Sequence, residues 1–577
     1  MRWWTCVVVL CAVVSVECEV GEAEWLEVKI AQGPVRGRRD SSGNFAFYNI
    51  PYATAPTGRD KFKAPLPPPI WTETFEAIDR SIICPQFDLK PFMPENMTEQ
   101  EDCLIANVFV PDTEEKNLRV LVYVHGGGFQ FGYGAWDKYS HLMKSKEVII
   151  VTFNYRLGIH GFLCLGTEDA PGNAGMKDQV ALLRWVQRNI AAFGGNPSDV
   201  TIAGYSAGSS SVDLLMLSKS AEGMFHKVIP ESGANIAVFA TQLDPLQNAK
   251  DHAKKLNFTK SVENISALAE FYKTLSIELL TLDPFLDGLD STSKFSPCVE
   301  RVNSDEAFLT ESPLTILKRG DYKKVPLLYG FANMEGLIRK DFFGLRKDKM
   351  NEKFSDFLPG NLKFKSDGEK EEVAKLVKEF YFGSEPISGD KILKYVDYYT
   401  DIMFAHATLW AVKLHVEAGH DQIYLYEYSF VDEDTPVIPY TDNVRGADHC
   451  AQSMAVGDGK NMLDIREDDI TDEYKNMKKI TREIWLNFVR TGKPVPKGSS
   501  LPTWPAAGAD RSPHMSLGQK VELRGVLLEE RTHFWDNIYQ KYYREPIPPP
   551  APGTHVDKKY LLTQCLSVVR LIGASET

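Results

Sequence analysis

Neither H-E-x-x-H nor C-x-x-C occurs anywhere in this 577-residue chain. Those spacings mark zinc hydrolases and dithiol redox proteins, so no metal and no organic cofactor is expected. A cationic surface is also missing. Lys and Arg number 65 against 78 Asp and Glu, a net charge of −13 spread along the chain. That excludes nucleic acid or an anionic membrane as the main partner. Long apolar runs are absent too. Trp3 to Val14 is too short to span a bilayer, and no internal repeat marks a solenoid.

What is present at the start is a processing signal. Arg2 supplies a positive charge, the apolar run follows, and Val16-Glu17-Cys18 offers a cleavage point before Glu19. Residues 1–18 therefore read as a signal peptide, and the mature protein as secreted and extracellular. In that compartment Asn96, Asn257 and Asn264, each in an N-x-S/T sequon, are glycosylation candidates. Three of the nine cysteines fall in the signal. Cys84, Cys103, Cys164, Cys298, Cys450 and Cys565 remain. Disulfides are permitted there, but the sequence does not give their pairing. Cys84 and Cys103 flank a short loop and are the best placed.

With 43% hydrophobic and 25% charged residues, the composition is that of an ordinary globular protein. Short β-branched runs at Leu118–His125, Val148–Asn154, Val200–Tyr205, His226–Pro230, Val325–Phe331 and Gln422–Ser429 read as strands. Longer helical patterns separate them, among them Asp178–Phe193 and Asp472–Thr491. Alternating strands and helices imply βαβ units and a mostly parallel sheet, an α/β fold. The catalytic unit is expected over residues 19–545. A proline-rich linker from Pro546 and a tail to Thr577 follow; Gln564 and Arg570 interrupt the tail's apolar patch, so it is not read as a membrane span.

Ligands of such sheets sit beyond the carboxyl ends of the strands. Three sets of residues lie there. The first is Gly204-Tyr205-Ser206-Ala207-Gly208, entered by a strand and left by a helical stretch, which is the setting of a nucleophile elbow. A serine hydroxyl needs a base to take its proton and a carboxylate to orient that base. Glu335 sits just past the strand that ends near Phe331. His449, in the glycine-led loop Gly446-Ala447-Asp448-His449-Cys450, follows the next strand. Of the twelve histidines only His449 meets that condition. His406 and His415 lie in a helical pattern and read as structural. Asp448 is the rival acid, disfavoured because it adjoins the base along the backbone. The third set is His125-Gly126-Gly127-Gly128, where bare backbone lets N–H groups approach a ligand. Gly127, Gly128 and Ala207 are the expected oxyanion donors, and His125 shapes the loop.

In these features the chain resembles the type-B carboxylesterase/cholinesterase family, more narrowly the insect carboxylesterases. Matching stretches run from Asn49-Ile50-Pro51-Tyr52-Ala53 through Glu101-Asp102-Cys103-Leu104, Asn154-Tyr155-Arg156-Leu157-Gly158, Asp178-Gln179 and Glu231-Ser232-Gly233 to Phe534-Trp535. The resemblance implies an α/β-hydrolase domain with helical insertions over a gorge, Ala234–Lys324 supplying much of the cover. It implies a Ser206–His449–Glu335 triad and a Cys84–Cys103 disulfide. The substrate would be a small lipophilic ester, hormone, pheromone, odorant or xenobiotic.

Four departures accompany it. Tyr205 stands where members carry Glu or Gln, as juvenile hormone esterases typically carry Gln. Gln452 stands where many have an acid, and Cys450 adjoins the base. No cysteine lies between Cys164 and Cys298, so the second disulfide of cholinesterases is expected to be absent. Two other readings are a non-catalytic binding relative, which the presence of all three triad positions disfavours, and a lipase acting on aggregated lipid.

Overall fold

The computed structural model describes residues 24–551 apart from 88–95, 137, 282–287, 302–303, 305 and 460–464. The expected signal peptide and C-terminal tail lie outside the described residues.

Three strands open the chain, β1 (Trp25–Ile30), β2 (Gly33–Arg39) and β3 (Phe45–Pro51), with β4 (Phe75–Glu76) pairing beside β2. A separate two-stranded sheet joins β5 (Ile82–Ile83) to β6 (Thr98–Glu99). Then come β7 (Ile105–Val110), β8 (Leu118–Val124), β9 (Val148–Phe153), β10 (Gly195–Tyr205) and β11 (Lys227–Glu231). The last four are β12 (Leu327–Ala332), β13 (Ile423–Tyr428), β14 (His514–Leu517) and β15 (Val521–Arg524). The main sheet runs β1-β2-β3-β7-β9-β8-β10-β11-β12-β13-β14-β15. From β9 to β14 every pairing is parallel, and antiparallel strands flank this centre. This is the α/β-hydrolase architecture.

The central strands read as near-continuous apolar runs because both faces are covered. Alternate residues point to opposite faces. Val120, Val122, Val124, Val200 and Ile202 enter one core cluster, while Leu121, Tyr123, Ala203 and Tyr205 enter another. Observed strands match the expected ones to within a residue or two at most ends. The exception is β10, which begins at Gly195 because it pairs Leu118 before a register shift. The helix expected over Asp178–Phe193 runs Ala174–Asn189 and continues as a 3-10 turn to Phe193. The helix Asp472–Thr491 coincides with its expected bounds: Thr471 accepts from the N–H of Tyr474, and Gly492 closes the end in the left-handed region.

Two insertions carry most of the remaining helices. Between β11 and β12 lie Pro245–Lys255, Ile265–Thr274, Ile277–Leu280 and Pro313–Arg319. Between β12 and β13 lie Phe343–Glu352, Asp367–Phe382 and an unbroken helical run, Ile392–Glu417, which passes through a π turn at Asp401–Ala405.

Two cross-links tie the outer parts down. Cys84 is bonded to Cys103. Cys164, whose pairing the sequence left open, is bonded to Cys298. This bond joins the two ends of the cysteine-free interval and is not the cholinesterase bond expected to be missing from inside it. Cys450 is free and buried. Among the described residues, no helix is long and apolar enough to cross a membrane.

The matching motifs Asn154–Gly158 and Asp178-Gln179 prove to be one structural unit. The guanidinium of Arg156 donates to both carboxylate oxygens of Asp178, at 2.8 and 2.6 Å, and to the carbonyls of Lys61 and Lys63. Both side chains are fully buried. A charge in this position persists only when paired and hydrogen-bonded, and here it is both.

Candidate active site

The site gathers at the carboxyl ends of β8, β10, β11, β12 and β13. β10 delivers Ser206 on a turn with φ 56° and ψ −122°, a conformation foreign to side-chain-bearing residues. The following N–H groups open the helix Ala207–Leu217. Glycine is required on both sides of the serine by close approach. A Cβ on Gly208 would lie 2.1 Å from the carbonyl oxygen of Val124, and one on Gly204 would lie 2.5 Å from Gly208.

That approach also sets the glycine loop against the elbow. β8 ends at Val124, which pairs with Gly204, and Gly126 rests on Tyr205. Gly127 and Gly128 have φ of 101° and 61°. A Cβ on Gly127 would meet the Phe131 carbonyl at 2.0 Å. Among the described residues no backbone carbonyl accepts from the N–H of Gly127 or Gly128, and Ala207 is first in its helix, where N–H groups lack intrahelical acceptors. These three N–H groups thus follow the adjacent ends of β8 and β10. His125 sits beneath them with its Nδ1 2.9 Å from the Gly126 carbonyl and its ring stacked on Tyr155. Burial lowers its pKa to about 4, so it is a neutral support for the loop.

Glu335 lies one turn past β12, fully buried. One carboxylate oxygen accepts from the N–H of Ala332 at 2.7 Å and from the Ser232 hydroxyl; the other is hydrogen-bonded to Nδ1 of His449. The two loops are zipped together beside this contact. Met334 N–H donates to the Ala447 carbonyl, and Ala447 N–H donates to the Asn333 side chain. The imidazole lies over Phe404, with ring centroids 4.4 Å apart, and Phe404 in turn lies 5.5 Å from Phe239. Nε2 of His449 is buried and has no hydrogen-bond partner among the described residues, so it makes no bond to Ser206.

Asp448 does not orient the imidazole. Its Oδ1 accepts from the backbone N–H of His449 at 2.6 Å. His406 and His415 are buried elsewhere, on Asp536 and Tyr322. Each departure also finds a place. Tyr205 packs its ring 6.0 Å from Tyr123, under the glycine loop. Gln452 is buried and donates to the Ser232 hydroxyl at 2.5 Å. Cys450 takes a left-handed conformation, φ 64°, at the start of the helix Ala451–Val456. Burial raises its thiol pKa well above the usual value, with the Glu335 charge adding to the effect, so it stays a neutral thiol. Among the described residues no group of His, Cys, Asp and Glu could hold a metal ion.

Sequence reasoning missed Phe404, Phe239 and the role of Ser232. Ser232 carried a signal, since Glu231-Ser232-Gly233 ends a strand beside the elbow. Phe404 carried none, because its place depends on the π turn.

A serine on a strained elbow, unbonded backbone donors and a glutamate-bound imidazole define a class, the hydrolases that act on acyl groups. The profile of the Carboxylesterase family matches residues 24–535, and the chain belongs to that family as a carboxylic ester hydrolase. It is 30% identical over 500 residues to Esterase FE4 of Myzus persicae, covering 82% of this chain and 86% of that one. It is 32% identical over 499 residues to juvenile hormone esterase of Heliothis virescens, covering 82% and 87%. The crystal structure of juvenile hormone esterase from Manduca sexta, with OTFP covalently attached, superposes with a TM-score of 0.78 at 28% identity, covering 90% of this chain and all of that one.

Proposed function

We propose that the protein is a secreted serine esterase that hydrolyses lipophilic carboxylic esters through an acyl-enzyme. Ser206 Oγ attacks the ester carbonyl while His449 Nε2 takes its proton. The N–H groups of Gly127, Gly128 and Ala207 receive the oxyanion, a contribution of about 3–4 kcal/mol per donor in comparable sites. His449 returns the proton to the leaving alcohol, and water then cleaves the acyl-serine by the same steps. Glu335 holds the proton on Nδ1, so that Nε2 is the free base.

The observation that carries this reading is the Glu335–His449 pair beside a serine on a φ 56° elbow. Fluorescent fluorophosphonate labelling, mapped by mass spectrometry, tests it alongside p-nitrophenyl butyrate turnover. Label on Ser206, with turnover lost in Ser206→Ala, is the expected result. Folded protein that neither labels nor turns over refutes the reading and favours a binding protein.

The apolar walls offered by Phe404 and Phe239 support lipophilic substrates, hormone, odorant or xenobiotic esters alike. Secretion would make Asn96, Asn257 and Asn264 glycan acceptors, and all three are exposed.

A further inference from the structure

Beneath the candidate triad lies a second buried acid that the mechanism does not use. Glu231 ends β11 and is fully buried. Its backbone carbonyl accepts from the N–H of Ser206 at 2.9 Å. Its carboxylate accepts from three side chains on three other elements: Ser453 Oγ at 2.5 Å, Trp485 Nε1 at 3.3 Å and the hydroxyl of Tyr426.

The Tyr426 contact is made possible by a gap. Glu231, Gly330 and Tyr426 stand in register on β11, β12 and β13. A Cβ on Gly330 would lie 1.9 Å from Cζ of Tyr426, so the ring crosses the strand only because Gly330 has no side chain. Next door, Gln452 donates to Ser232, which donates to Glu335. Adjacent residues 231 and 232 therefore grip adjacent residues 452 and 453, on the helix that begins at Ala451, two residues after His449.

We propose that Glu231 is a positioning residue for His449, clamping the base-bearing helix to the nucleophile strand and, when ionised, supplying a second negative charge behind the imidazole. The proposal rests on the reading of Ser206, Glu335 and His449 given above. The imidazole becomes positive as it takes the serine proton, and a carboxylate behind Glu335 favours that state. With Gln452 neutral, Glu231 is the acid placed to do this.

Burial raises the carboxyl of Glu231 to about 7, against the lowering effect of its donors. The titratable groups facing it are Tyr426 from β13, Cys450 before the helix Ala451–Val456, and Glu335 beyond β12 with His449 on its far side. Trp485 faces it from the helix Asp472–Thr491. Of the cations of that helix, Lys478 and Arg482 point instead at the carbonyls of Met454 and Gly457 and at Glu467, Lys475 at Asp472 and Arg490 at Glu147. The charge on Glu231 is thus present above neutrality and lost below it.

The test is the pH profile of kcat for p-nitrophenyl butyrate in wild type and Glu231→Gln, which keeps the shape and removes the charge. Wild type should match the variant at pH 5.5 and exceed it about tenfold by pH 8.5, the equivalent of one pKa unit of interaction with the imidazolium. Tyr426→Phe, lacking one donor to the carboxylate, should move the midpoint of that ratio to higher pH. A ratio that is flat with pH, whatever its size, overturns the proposal, since a purely structural role depresses activity equally throughout. Fluorophosphonate labelling of wild type separates the two readings. Label on Ser206 with a flat ratio refutes the Glu231 role alone, whereas no label refutes the triad and the proposal together.

Discussion

Replacing Glu335 by Gln tests the site's internal logic most sharply. Three donors converge on this carboxylate: the Ala332 N–H, the Ser232 hydroxyl and Nδ1–H of His449. A carboxylate accepts all three, but an amide has one oxygen and one donating NH2. The oxygen must stay on the side of Ala332, whose N–H is fixed by the strand. The NH2 then faces His449 and demands an acceptor, so the imidazole moves its proton to Nε2. That nitrogen can no longer take the proton of Ser206. The size of a tautomer fault in a Ser-His-acid site is about 10⁴ in kcat, or about 5.4 kcal/mol at 1.36 kcal/mol per decade. Shape is unchanged, so KM for p-nitrophenyl butyrate should move less than threefold, a rough bound for a contact that is not made with substrate. Fluorophosphonate labelling of Ser206 should slow in parallel with kcat. A Glu335→Gln enzyme within tenfold of wild type in kcat, with the same thermal midpoint, would refute the assignment of Glu335 as the orienting acid.

Two further predictions concern the frame that holds the site. Asp178→Asn leaves the Arg156 guanidinium buried without its counter-charge, which costs about 3–5 kcal/mol; differential scanning calorimetry should show a clear fall in thermal midpoint, and Arg156→Met in the same background should restore part of it. The Cys164–Cys298 bond closes a loop of 134 residues against 19 for Cys84–Cys103. Chain entropy then assigns it about 5 kcal/mol against about 3, so paired Ala substitutions at 164 and 298 should lower the midpoint more than those at 84 and 103, and the reverse order would refute that account.

Legibility in the sequence followed locality. The central strands were readable because burial on both faces makes them apolar and β-branched over five or six residues. The helix Asp472–Thr491 was readable because Thr471 and Gly492 cap it from adjacent positions. The short last strands were not readable, since β14 and β15 have four residues each and β14 takes its place in the sheet from the distant β13. The π turn at Asp401–Ala405 was invisible for the same reason. Asp401 there is held by Arg531 and Tyr381, from segments far along the chain.

The same division runs through the site. Gly204, Ser206 and Gly208 announce an elbow because a strained turn and a close backbone approach need those residue types within five positions. The order of Ser206, Glu335 and His449 follows from strand ends that can be found one at a time. Tertiary structure alone decided that Ser232 and Gln452 brace Glu335, that Tyr205 packs beneath the glycine loop, that Cys164 meets Cys298, and that Gly330 clears a path from Tyr426 to Glu231. Each of these joins residues that are far apart in sequence. Local propensity carries no information about such pairs, because their energies arise only once the sheet has set five strand ends side by side.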